Sequence, residues 1–237
     1  MKSVDASKLD LPLFEERESL RNRVGDALRA ALVAGEMRPG TLYSAPVLAA
    51  KFGVSATPVR EAMLDLARQG LVETVRNKGF RVTELSDRDL DDITAVRALI
   101  EVPTLAEIAR RCDERIVRAV EALRPLAREI VAQAERRDLI AYVEADRQFH
   151  LSLLALADNT HLVKVVADLR ARSRLYGLQN LAPDRLHASA LEHEQMVDLI
   201  AAGKADEVAE VMRRHIGHVR STWAAPVHGR RTAKRTK

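Results

Sequence analysis

Residues 44–70 read SAPVLAAKFGVSATPVREAMLDLARQG, and their punctuation decides the fold of the first third of the chain. Ser44 can cap a helix whose first turn accommodates Pro46, with Val47, Leu48 and Phe52 as its apolar side and Gly53 as its stop. Ser55 or Thr57 then caps a second helix with Pro58 in its first turn. Val59, Ala62, Met63 and Leu66 fall at the i, i+3, i+4, i+7 spacing of one buried face, and Gly70 ends the pattern. Two helices joined by the tight turn Gly53-Val54-Ser55 make a helix-turn-helix unit.

Upstream, Leu20, Val24, Leu28 and Leu32 recur every four residues before Gly35 and predict a helix over 18–34. Downstream the period changes. Leu71 to Val75 and Phe80 to Thr83 are β-branched runs separated by Arg76-Asn77-Lys78-Gly79, which predicts a two-stranded hairpin, a wing, with Gly79 available for a positive φ. From Ser86 to Trp223 no strand signal recurs. Six helices are predicted over 87–111, 114–136, 138–156, 160–177, 184–202 and 205–222, punctuated by Asp113, Asp138, Asn159, Pro183 and Gly203. The expected fold is mainly α: a winged helix-turn-helix over 16–84, an all-helical bundle over 87–223, and a basic, disordered tail over 224–237.

Composition narrows the function. The 237 residues are 47% hydrophobic and 30% charged, an ordinary globular balance. No apolar run reaches the roughly 18 residues a membrane span needs, and Lys2, Asp5, Lys8 and Asp10 interrupt the place of a signal peptide, so the expected location is the cytoplasm. Cys112 is the only cysteine, which leaves His and carboxylates for any metal site. The net charge of +4 is misleading, because residues 223–237 alone carry +5 and the remainder about −1. Aromatic residues are 3% of the chain, which disfavours stacking on single-stranded nucleic acid; duplex DNA read by a helix in a groove needs none.

In a helix-turn-helix the start of the second helix faces base edges and the wing meets phosphates. Those positions hold Ser55, Ala56, Thr57 and Arg60, then Arg76, Lys78 and Arg81. Arg60 can fork onto guanine, and Thr57 can reach a phosphate or a thymine methyl. Between 51 and 81 six basic residues face three acids, a local excess of +3.

Pro39-Gly40-Thr41-Leu42, Leu48-Ala49 through Ser55, Thr57 through Ala62, Gly70-Leu71-Val72 and Asn77 through Val82 resemble the winged helix-turn-helix of the GntR family of bacterial transcription regulators. One recognition helix reads only a few base pairs, so a homodimer on a pseudo-palindromic duplex operator is expected, its two-fold symmetry doubling the site. One departure stands out: Ala56 occupies the position where the family usually carries a DNA-contacting Arg.

In the second region Asp146 and His150 lie four apart, which puts a carboxylate and an imidazole on one helical face. His193 and His215 fall on the fifth and sixth helices. Spacing alone suits either a chelate for Zn2+, Ni2+ or Mn2+ or four structural side chains. Arg97 with Glu101, Asp146 through His150, Asn159, Glu192-His193 and Met212 through His215 resemble the ligand-binding (FCD) domain of the FadR branch of GntR regulators, in its six-helix, VanR-like form. That resemblance implies that Asp146, His150, His193 and His215 hold a divalent metal. It leaves His161, His187 and His218 on the surface or behind the ligands. A small carboxylate effector then completes the coordination and bonds Arg97, with Arg170 and Arg174, one turn apart, as further candidates. Pro103 should kink the first bundle helix.

A metal-dependent hydrolase also uses His and Asp, but the chain has no His-Glu-x-x-His run and no nucleophile elbow, and hydrolysis leaves the winged helix unexplained. A purely architectural DNA binder accounts for the basic tail but not for the Asp/His set.

Overall fold

A computed structural model describes residues 20–33, 35–174 and 183–218. The N-terminal part contains α1 (Leu20–Val33), β1 (Leu42–Tyr43), α2 (Ala45–Phe52), α3 (Ala56–Arg68), β2 (Val72–Val75) and β3 (Gly79–Val82). The apolar spacing of α1 buries Val24, Leu28 and Leu32 against Val59, Ala62, Met63 and Leu66 of α3. Arg21 forks onto Asp65 with two bonds of 2.6 Å, tying the start of α1 to α3. Gly53 sits in the left-handed region at φ 65° and turns the chain from α2 into α3. Ser44 and Ser55 hold the N-cap positions of α2 and α3 with extended backbone, but neither side chain makes a capping bond. Ala45, Leu48 and Ala49 bury α2, whereas Val47 and Phe52, expected inside, are exposed.

The wing has three strands in the order β1-β3-β2, not two. Leu42 pairs with Arg81 and Tyr43 with Phe80 on one side of β3, and Val72 pairs with Val82 and Val75 with Gly79 on the other. Two residues after Pro39-Gly40 are too few to show alternation, so β1 left no mark in the sequence. Gly79 has φ 130°, and a Cβ there would overlap the Tyr43 carbonyl oxygen.

The second core belongs to α4 (Asp87–Arg111), α5 (Glu114–Glu121), α6 (Arg124–Arg136), α7 (Leu139–Ala155), α8 (Thr160–Arg174), α9 (Pro183–Ala201) and α10 (Ala205–His218). A capping box between Ser86 and Asp89 starts α4, and Asp113, Asp138 and Asn159 accept from the backbone N–H three residues on, as their positions in the sequence predict. The helix expected over 114–136 is broken. Pro125 cannot donate to the preceding turn and would collide with its carbonyl, so α5 closes with Leu123 N–H on Val120 O and α6 starts anew. Helix α4 continues through Pro103. The ends expected at 177 and 222, and the tail 224–237, lie outside the described residues.

Candidate functional site

Among the described residues of the helical domain, most buried polar side chains gather at one place. Asp146 and His150 share a buried face of α7, His193 comes from α9 and His215 from α10, and one donor atom from each lies within 4.8 Å of all the others. His150 Nε2 is 3.1 Å from both His193 Nε2 and His215 Nε2, and Asp146 Oδ1 is 3.3 Å from His193 Nε2. All four side chains are within 1% of complete burial.

Their tautomers follow from the outer bonds. His193 Nδ1 donates to Ala190 O at 2.9 Å, and His215 Nδ1 to Glu192 Oε2 at 2.9 Å, so in its neutral form each ring turns an Nε2 lone pair inward. Burial, then the charge of Arg170, lower the pKa of His150 well below the usual histidine value despite Asp146, which favours the neutral ring there. A neutral His150 has one N–H to offer two inward lone pairs, and its Nδ1 has no partner among the described residues. Two donors about 2.1 Å from a common ion lie at most about 4.2 Å apart. The His150–His193, His150–His215, His193–Asp146 and His150–Asp146 separations of 3.1, 3.1, 3.3 and 3.9 Å fall inside this limit, and the four-atom set as a whole is bounded by 4.8 Å. The residues fit a divalent cation such as Zn2+, Ni2+ or Mn2+.

Behind these four stands a chain of buried charges. Arg170 of α8 donates Nη2 to Asp146 Oδ2 at 2.5 Å and Nη1 to Glu101 Oε2 at 3.1 Å, and Arg97 donates Nε to Glu101 Oε1 at 2.6 Å. Arg97 also reaches Ser173 Oγ at 3.5 Å. Both arginines are 1% exposed, so neither belongs to a solvated helix face. Burial favours neutral Arg170, yet Asp146 and Glu101 outweigh it and raise its pKa, whereas burial dominates at Arg97 and lowers its own. The side chain of Arg174 lies outside the described residues.

Glu192 escaped the reading of roles from the sequence. Its carboxylate takes His215 Nδ1, Arg214 Nε at 2.6 Å and His218 Nε2 at 3.2 Å. Burial would raise its pKa, but these three donors reverse that and hold it far below the usual carboxylate range. The adjacency Glu192-His193 was visible; that Glu192 serves His215, 23 positions away, required the packing of α9 on α10. His161 is exposed, and His187 lies 3.9 Å from Glu135. Leu191, two residues before His193 on α9, is exposed.

On the winged domain Ser55, Thr57 and Arg60 are exposed at the start of α3, while Ala56 packs partly against the core. Arg76 and Lys78 are exposed on the wing, and Arg81 pairs across strands with Glu73 at 3.1 Å. Asp65 is taken by Arg21 and Arg68. Lys51, Arg60, Arg76 and Lys78 form no ion pair among the described residues, so four cations remain for a polyanion. Glu61, adjacent to Arg60, forms no ion pair with it.

The FCD domain family matches residues 92–218, and the family of bacterial regulatory proteins called gntR matches residues 20–82. The Nta operon transcriptional regulator of Aminobacter aminovorans is 31% identical over 186 residues, covering 78% of this chain and 85% of that protein. The transcriptional repressor GlaR of Escherichia coli is 25% identical, covering 80% and 89%. Among solved structures, E. coli McbR/YncC superposes with a TM-score of 0.68 at 22% identity, covering 85% of this chain and 95% of that one. A GntR regulator from Rhodococcus sp. RHA1 gives 0.64 at the same identity and coverage. The chain belongs to the GntR family of bacterial regulatory proteins, a non-enzymatic family, and is a DNA-binding transcriptional regulator with an FCD domain behind its winged helix-turn-helix.

Proposed function

We propose that this regulator is a homodimeric repressor whose affinity for a pseudo-palindromic operator is set by a small carboxylate effector bound beside a divalent metal. The observation that carries the reading is the convergence of the His150, His193 and His215 Nε2 atoms on Asp146 Oδ1, with two of the three rings locked by bonds at Nδ1. Neutral imidazoles and one carboxylate are the ligand set of a borderline divalent ion, which supplies a Lewis-acidic anchor for an anion. Charge supports an anionic effector. Arg97 and Arg170 are balanced by Glu101 and Asp146, so an ion adds two positive charges to a buried site that has none to spare. Arg170 Nε and Ser189 Oγ, the latter one turn before His193, are buried without a partner among the described residues and suit a polar ligand.

Ser55, Thr57, Arg60, Arg76 and Lys78 face the DNA, Ala56 leaves its position without a contacting side chain, and Arg81 is shared between phosphate and Glu73. The repressor reading draws on GlaR, a repressor by name. A single recognition helix spans few base pairs, so two-fold symmetry is needed for a full operator. The cytoplasm, where chromosomal DNA lies, is the expected place of action.

The test is operator binding by zinc-loaded and zinc-free protein against a panel of small organic acids. A member that shifts operator affinity only in loaded protein supports the reading. Affinity indifferent to metal and to every acid refutes it.

A further inference from the structure

Helix α8 carries four consecutive residues that face two domains. Arg170 holds Asp146 and Glu101, and Ser173 meets Arg97, all in the helical domain. Ala171 packs instead against the core of the winged domain. The Arg172 side chain lies over Gly70, where a Cβ would sit 3.1 Å from its Cδ and 3.2 Å from its Cγ. At 3.6 residues per turn, positions 170 and 173 share one face while 171 and 172 turn away, all within a rise of about 5 Å.

Both ends of this element are sensitive. Asp146 has one oxygen towards His193 and the other on Arg170, so whatever binds at Oδ1 alters the hold of Oδ2 on α8. Gly70 is the turn that ends α3: its N–H bonds Ala67 O, Leu71 N–H bonds Leu66 O, and its φ of 73° would strain any side-chain-bearing residue. Arg60 rides at the other end of the same helix. Because a packed interior shifts between discrete arrangements and does not stretch, a displacement of Arg170 carries Arg172 with it.

We propose that α8 is the strut through which occupancy of the Asp146 centre reaches the recognition helix, with Arg170 as its contact on the sensing side and Arg172 as its contact on the DNA-reading side. This rests on the metal reading above. The strut makes Arg172 a positioning residue that touches neither metal ligand nor operator.

The experiment uses the full-length protein stripped with chelator and reloaded with zinc, wild type beside Arg172→Ala and Arg170→Met. Zinc stoichiometry, amide hydrogen exchange over residues 66–72 and affinity for a duplex selected by the wild type from a random pool are measured together. In wild type, zinc changes both exchange and affinity by at least about fivefold, the lower end of ordinary allosteric coupling. Arg172→Ala takes up zinc with the same stoichiometry, yet its zinc-dependent changes fall below about twofold; Arg170→Met behaves alike if it folds. Arg172→Ala retaining the full zinc response overturns the proposal. Should wild type take up no zinc, the metal reading fails and the strut is judged on zinc-free protein. There Arg172→Ala must speed exchange at 69–72 several-fold with exchange in α1 unchanged, and unaltered exchange overturns it.

Discussion

His215 Nδ1 lies 2.9 Å from Glu192 Oε2, and this bond aims the opposite ring nitrogen at His150. A carboxylate behind an imidazole fixes its tautomer and raises its basicity, and losing such a partner weakens metal binding by about 10- to 100-fold. Glu192→Gln keeps the volume and removes the charge. It should weaken zinc by that factor in competition with a chromophoric chelator, with helix content intact. Undiminished affinity would remove Glu192 from the site.

Acid should act on the same centre. Burial and Arg170 depress the pKa of His150 in the folded chain, so the unfolded chain binds the extra proton first. Between the unfolded value of about 6.5 and the lower folded value the unfolded state holds more protons, and stability falls as pH falls. Ligation also needs neutral imidazoles, which adds metal release over the same interval. The melting temperature of loaded protein should be level above about pH 7 and decline below about 6.5. A melting temperature constant down to pH 5 contradicts a buried neutral His150.

Glu101 is the hinge of the buried charge chain, accepting from both Arg97 and Arg170. Glu101→Ala leaves two buried guanidinium groups one carboxylate short, a change that costs about 3 to 5 kcal/mol where a buried pair is broken from one side. Denaturant unfolding measures it. A loss below about 1 kcal/mol would mean that water reaches these arginines.

Arg60→Ala should weaken specific binding by about 1 to 3 kcal/mol and relax one position of each half-site, whereas Lys78→Ala should weaken all duplexes alike and flatten the salt dependence. Binding to selected and random duplexes across a salt series separates the two. Equal losses on both duplexes for Arg60→Ala would make it a phosphate contact.

What the sequence disclosed and what it withheld divide along physical lines. The α2-turn-α3 unit was legible because Pro46, Gly53, Pro58 and Gly70 each demand a particular backbone, and the wing because β-branched runs flank Asn77-Lys78-Gly79. Strand β1 was not, since two residues carry no period. Pro125 broke a helix whose apolar pattern runs on without a gap. The Asp146/His150 spacing survives in α7, and the joining of His193 and His215 to it came from family resemblance, because positions on three helices have no fixed spacing. The balance of Arg170 between Asp146 and Glu101 was invisible for the same reason: it spans three helices, and the four-residue rhythm of Arg170 and Arg174 mimics a solvated face.

We expect Asp146, His150, His193 and His215 to hold the ion through which the regulator senses. Elemental analysis of purified wild type, His193→Ala and His215→Ala, each exposed to the same zinc and dialysed, decides this. Stoichiometric zinc is expected in wild type and substoichiometric zinc in both variants, which still bind a selected duplex but with an affinity that zinc no longer changes. Equal zinc in all three preparations would make these histidines core residues with no metal role.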